Sequence, residues 1–324
     1  MDADEIRELY TQSQTYENLV IPAGEMSPRE RFMNIMDFKK VDRIIDCEFG
    51  YWNETLRRWH KEGLPEYVKN NDIADIYFGF DVWRKHVPAQ SGIFPMFEHE
   101  LISDDGRHQI IYNHEHVKCE IFSDGKDSIP HYIDFPIKDV ASYRTLFKER
   151  LKPQLEKRIK INLKEAGEKV KNRNYVLDIH AGSTAGKIRD WMGFENICMA
   201  IYDQPELLQE ILKDLEDLMV TVATAVTEHM APDLVAWWED IAFKNGPIVT
   251  PDFFINQCGP VIKKVMDIYK KAGCKYSYVD CDGDFSRLMP GWLNNGVNIM
   301  FPLEVASGIH PEKLRRENPG IRMM

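Results

Sequence analysis

No run within the 324 residues approaches the roughly 20 apolar positions that a membrane-spanning helix needs. The opening MDADEIRELYTQSQTY is acidic where a secretory signal would be basic and then apolar, so a cytoplasmic location is the default. Cysteine is sparse. The six cysteines, at 47, 119, 198, 258, 274 and 281, form no CxxC pair, and a chain this long does not depend on disulfides, so reduced thiols are expected. A basic stripe with interleaved aromatics is missing and the net charge is -11, which removes electrostatic support for nucleic acid or an anionic membrane as partner. Phosphate-binding signatures are missing too: the small-residue loop Ala181 to Gly186 has neither the Walker lysine and serine spacing nor the GxGxxG order.

What is present is an alternation of short apolar runs with helical stretches. Hydrophobic residues at 44% and charged residues at 29% suit a soluble globular protein with a sizeable core. Residues 1–40 read as a helical lead-in, with Ser27-Pro28 starting a helix over 29–38. Strands are then expected at 41–49, 76–83, 175–180, 233–241, 276–279 and 297–303, each followed by an acidic or small-residue tip and a helix. Residues 93–137 differ. They alternate apolar and polar positions around Asp105-Gly106 and predict an antiparallel β-hairpin flap inserted into the α/β pattern. The repeated strand, tip, helix unit favours a (β/α)8 TIM-barrel-like fold for 41–324 over a doubly wound sheet. Ile321 to Met324 would begin a seventh strand, so the last one or two βα units are expected to be absent. An open barrel, a homodimer covering the gap, or a truncated product would follow.

The strand tips carry the chemistry. Alternation along a strand puts Tyr276, Tyr278, Asp280 and Asp282 on one face, and Glu304 ends the next strand at the same rim, so three carboxylates converge. They are the candidate metal ligands, or a paired acid and base with separated pKa values. Asp81, near the end of the second expected strand, and His180, at the tip of YVLDIH, are candidate catalytic groups, with Glu239 beside Asp240 at another tip. Glu48, Tyr51, Trp52, Trp83, Trp237, Glu239 and Tyr278 are candidate pocket walls. Cys281, flanked by two aspartates, would have a raised pKa and be a poor nucleophile. His114-x-His116 in the flap could ligate a metal from one strand face, but nothing else nearby has ligand spacing, so a solvated hairpin face is the preferred reading.

Five segments, GYWNETLRRWHKEGLP, YFGFDVW, IRDWMGFENICMAIYDQPELL, WWEDIAFKNGPIVTP and YVDCDGDFSRLMPGWLNNGVNIMFPLE, together resemble the uroporphyrinogen decarboxylase superfamily. The resemblance covers most of residues 27–324. It implies a (β/α)8 barrel with its site at the carboxyl ends of the strands, and two branches of function. The decarboxylase branch binds a substrate with many carboxylates and carries an RQAGRY segment that is TLRRWHKEGLPEY here; Glu48, Glu239, Asp240, Asp280, Asp282 and Glu304 would repel such a polyanion, although Asp81 matches that branch's catalytic aspartate. The corrinoid-dependent methyltransferase branch carries a His-x-Cys zinc pair where this chain reads Asp280-Cys281-Asp282. The resemblance therefore implies a divalent metal, zinc by the family's example, on ligands that suit harder ions. It further implies a small methylated substrate, for instance a methoxylated aromatic, and a corrinoid supplied by a partner protein. A catalytically silent binding or assembly protein is the reading that absence of the last units would favour.

Overall fold

The structure is a computed structural model that describes residues 3–125 and 129–324; residues 126–128 of the expected flap lie outside the described residues. Among the described residues there are twelve strands: β1 Arg84–His86, β2 Glu100–Asp104, β3 His108–Tyr112, β4 Lys118–Phe122, β5 His131–Asp134, β6 Val176–Gly182, β7 Leu234–Trp238, β8 Ala242–Phe243, β9 Gly246–Pro247, β10 Tyr276–Asp280, β11 Ile299–Phe301 and β12 Arg322–Met323. Six of them form one sheet in the order β1-β6-β7-β10-β11-β12, with every neighbour parallel. Strands β2 to β5 form an antiparallel meander over the expected flap, and β8-β9 is a small hairpin. The fold is mixed α/β with a central parallel sheet.

Parallel strands must be joined by crossovers, and the long helix Pro205–Thr227 is the clearest of them. Pro205 sits at its first turn, and Leu208, Ile211, Leu212, Leu215, Met219, Val222 and Val226 recur at helical spacing on its buried side. Together with helix Gly259–Lys271 it covers the sheet face that presents Leu177, Ile179, Val235, Trp237 and Val279, none more than 1% exposed. The second face is closed differently. At the amino ends of the strands, helix Pro28–Met36 inserts Phe32 and Met36 among Trp83, Val176, Leu234, Tyr276 and Ile299. Ser27 accepts from the Glu30 amide at 3.2 Å, which fixes where that helix begins. Toward the carboxyl ends the same face becomes polar and partly open.

Two expected strands are not strands. Residues 41–49 run without a ladder: Asp46 accepts one hydrogen bond from the Asp81 amide at 2.7 Å, and the Asp81 carboxylate is held by Arg43 at 2.6 Å through each oxygen. A strand needs a partner along its length, and one bridging pair does not provide it. Residues 71–78 are helix, because the Asn70 side chain accepts from the Ile73 amide at 3.0 Å and Gly79, at φ +86°, ends the turn. The strand begins six residues beyond Phe78, at Arg84. All six cysteines are free thiols. Among the described residues no helix is long and apolar enough to cross a membrane.

Candidate functional site

Strands β7 and β10 end side by side, with Trp238 in register with Asp280. Immediately after β7 the chain turns: Asp240 takes the left-handed conformation, φ +52°, which aspartate tolerates better than most residues. Three bonds hold that turn. The Glu239 amide donates to the Asp280 carbonyl at 2.9 Å, Arg189 donates to the Asp240 carbonyl, and the Asp282 amide donates to Asp240 Oδ1 at 2.9 Å. The result is a cluster in which one carboxylate oxygen from each of Asp240, Asp280 and Asp282 lies within 4.8 Å of the others. Glu304 joins from β11's tip, accepting the Gly283 amide at 2.8 Å. Gly283 is required there, since a Cβ would stand 2.7 Å from the Ala242 carbonyl carbon and oxygen.

Like charges so close raise each other's pKa. Asp280 is pushed up to about 7, first by burial and then by the charges of Asp240 and Asp282. Asp282 is raised as well, by burial and by Asp240 and Glu304. A divalent cation would relieve this repulsion. The donor set is all carboxylate, and the one nearby thiol, Cys281, is fully buried with its pKa raised by burial. Such a set fits an oxygen-liking ion of the magnesium, manganese or calcium kind and lacks the nitrogen or sulfur ligands usual for zinc.

No family model matches the chain, and no curated protein matches it in sequence. Among solved structures, a methyltransferase from Methanosarcina mazei is similar, with a TM-score of 0.55 over 92% of this chain and 82% of that one, at 14% sequence identity. The two share a fold.

The expected site residues divide sharply. Asp280, Asp282 and Glu304 meet at one rim as alternation predicts, but the third oxygen within reach of the aspartate pair comes from Asp240. Glu239 instead turns into the protein. Fully buried, it accepts from Thr184 N at 2.9 Å, Thr184 Oγ1 at 2.7 Å, Gly186 N at 2.8 Å and Ser183 Oγ at 3.4 Å. Burial pushes its carboxyl up to about 7 against the pull of those bonds. Gly186 makes the approach feasible, because a Cβ there would lie 2.2 Å from the Glu239 carbonyl oxygen. The small-residue loop after β6 therefore anchors a carboxylate of this chain.

Trp237 is fully buried beneath helix Gly259–Lys271, donating to Met266 Sδ at 3.4 Å, and its neighbour Trp238 faces the site with Lys187 and Arg189 over its ring at 4.9 and 5.3 Å. Trp83 packs on Phe32 at 5.7 Å in the amino-end core. Asp81, three residues before β1, lies on the amino-terminal side of the sheet, clamped by Arg43. Glu48 and Trp52 are exposed, and Tyr51 packs edge-on to Trp59 and Phe78 in a small satellite core. Tyr278 and His180 do face the polar side of the sheet; burial, then His86 and Lys187, brings the His180 imidazole down to about 4. His114 and His116 have separate partners, the Phe97 carbonyl at 3.0 Å and the Phe97 and Tyr112 rings. A cavity of about 360 Å³ on the helical layer, lined by Tyr202, Leu208 and Gln257 among others, includes none of the strand-tip carboxylates.

Proposed function

We propose that this chain is a methyltransferase component of the uroporphyrinogen decarboxylase-like kind, its parallel sheet part of a (β/α) barrel, passing a methyl group between a small methylated compound and a corrinoid held by a partner protein. The observation that carries this reading is the Asp240, Asp280, Asp282 cluster at the carboxyl ends of parallel strands, where such folds bind ligands. The similarity in fold to a methyltransferase supports it.

The three aspartates would hold a divalent cation, which when bound supplies Lewis-acid polarisation of the atom that loses its methyl group. The chain's own residues supply the rest. Asp240 is fixed by the Asp282 amide and Arg189, so the carboxylates meet without reorganising. Without a cation Asp280 retains its proton to about pH 7 and can hand it to a departing oxygen as the carbon–oxygen bond breaks. A reduced corrinoid on the partner protein would supply the methyl acceptor; the bonding pair would stay on oxygen, where the proton from Asp280 would neutralise it. Trp238, next along the same face of β7, and Tyr278, beside Ala236 on β10, would border the substrate.

Purified protein incubated with cob(I)alamin, aryl methyl ethers or methylated amines, and magnesium, manganese or zinc should form methylcobalamin, followed by its absorbance. Asp280→Ala/Asp282→Ala should abolish that activity. Wild-type protein that transfers no methyl group from any donor under any of these metals overturns the reading, and loss of CO2 from a porphyrinogen would replace it with decarboxylation.

A further inference from the structure

The polar part of the second sheet face has two halves of unlike charge. Over β7, β10 and β11 the tips are acidic, as described. Over β1 and β6 the side chains are largely donors. Strand β1 reads Arg84-Lys85-His86, and its alternation buries Lys85 while leaving the Arg84 and His86 side chains 40% and 50% exposed. A parallel sheet normally has both faces covered by apolar residues, so exposed Arg and His on one face are unusual.

Arg84 is held in place. Its guanidinium lies 5.0 Å over the Trp83 ring, stands 3.5 Å from Asp178 Oδ2 and is near the Tyr278 hydroxyl. Asp178, in register with His86, is only 6% exposed. Its Oδ1 makes no hydrogen bond; His86 Nδ1 stands 3.4 Å away, close enough for an ion pair and too poorly aligned for a hydrogen bond. A buried acceptor left open costs free energy unless an approaching group draws its neighbour into line. Lys187, on the helix after β6, adds a cation beside His180. Between the halves, β7 contributes the small residue Ala236, in register with His180 on one side and Tyr278 on the other.

We propose that Arg84 and His86, braced by Asp178, form a subsite for a carboxylate, so that the substrate is a methylated compound carrying one carboxylate whose methyl-bearing end reaches the acidic tips. A guanidinium fixed by stacking and a buried carboxylate presents its remaining N–H groups as a fork, which suits a carboxylate better than a neutral amide. The acidic half limits the ligand to a single anionic end. This deepens the methyltransferase reading and names its substrate class, while its test needs no methyl transfer.

Full-length protein is titrated by calorimetry, without corrinoid or added metal, with 4-methoxybenzoate and methoxyacetate, each against its neutral amide. At least one acid should bind about tenfold or more tightly than its amide. Arg84→Met should remove that preference, Arg84→Lys should lose most of it because an ammonium offers no fork, and Lys263→Met, on the exposed side of the helix over the opposite sheet face, should keep it. A thermal melt of each variant reports whether it folds, and the lysine variant carries the test if the methionine variant does not. The subsite is overturned if neither acid binds more tightly than its amide, or if the preference survives in a folded Arg84 variant. Failure of methyl transfer in the cobalamin assay would leave this result standing, and failure here would leave methyl transfer from an uncharged substrate open.

Discussion

Strand β7 and the turn after it place two pairs of similar residues on opposite faces. Trp237 and Glu239 point into the helix layer and are fully buried; Trp238 and Asp240 point to the polar face and are partly open. Trp237 bonds a methionine sulfur in the core, whereas Trp238 lies under two cations. Glu239 binds four donors of its own chain, whereas Asp240 meets two further carboxylates. Residue type is nearly constant across each pair. The side of the sheet decides whether an indole or a carboxylate holds the fold or faces a ligand.

The tryptophan pair gives the largest expected difference. Truncating a fully buried tryptophan costs about 3–5 kcal/mol, so Trp237→Ala should lower stability to denaturant by that order. Trp238→Ala should cost about 1 kcal/mol or less in the same unfolding experiment while weakening ligand binding at the polar face. Equal losses from the two would mean that alternation does not separate core from site here.

The acidic pair separates by pH. Glu239 has its pKa raised from 4.5 to about 7 on folding, by burial first. The folded state therefore holds a proton that the unfolded state releases between those values, and stability falls as pH rises through this window. The full effect, about 3 kcal/mol, is present below pH 4.5 and lost above pH 7. Glu239→Gln cannot ionise, so its stability from pH 5 to 8, measured by denaturant midpoints, should slope less than that of the wild type. The same slope in both would show that Glu239 ionises freely in the folded protein.

Much of this layout is legible in the sequence, for reasons that also mark where legibility stops. Strands β6, β7, β10 and β11 are apolar runs ending in acidic or small residues, and Pro205–Thr227 has sustained helical spacing, so each declares itself locally. The Asp105-Gly106 turn declares the antiparallel meander in the same way. Strand β1 does not: Arg-Lys-His contains no apolar residue, and Lys85 is buried only because its ammonium reaches the Gln12 and Glu17 carbonyls from the amino-terminal helix region. Ile76, Tyr77 and Phe78, which open the apolar run before it, belong to a helix whose cap at Asn70 and stop at Gly79 are visible, but whose length competes with a strand pattern. Asp280 and Asp282 follow from alternation. That Asp240 joins them does not, because it needs the pairing of β7 with β10 and the left-handed turn at Asp240, and Arg84, His86 and Asp178 meet only through the pairing of β1 with β6.

Asp240→Asn gives the smallest stability change and the sharpest sign. In protein free of divalent ions, Asp240, Asp280 and Asp282 repel one another, and removing one charge should stabilise the fold above pH 7 by about 1 kcal/mol or less, since Asp282 is exposed and water screens the pair. The asparagine can still accept the Asp282 amide, so the turn should survive. With millimolar manganese or magnesium the order should reverse. An ion that binds only the folded state stabilises it by an amount that grows with the logarithm of its concentration, and the variant has a neutral amide in place of one of the three carboxylates, so it binds the ion more weakly. Thermal melts of both proteins with and without the ion would show the crossing. If the wild type gains nothing from either ion, the three carboxylates work without metal, and the proton that Asp280 keeps to about pH 7 becomes the reactive feature of the cluster.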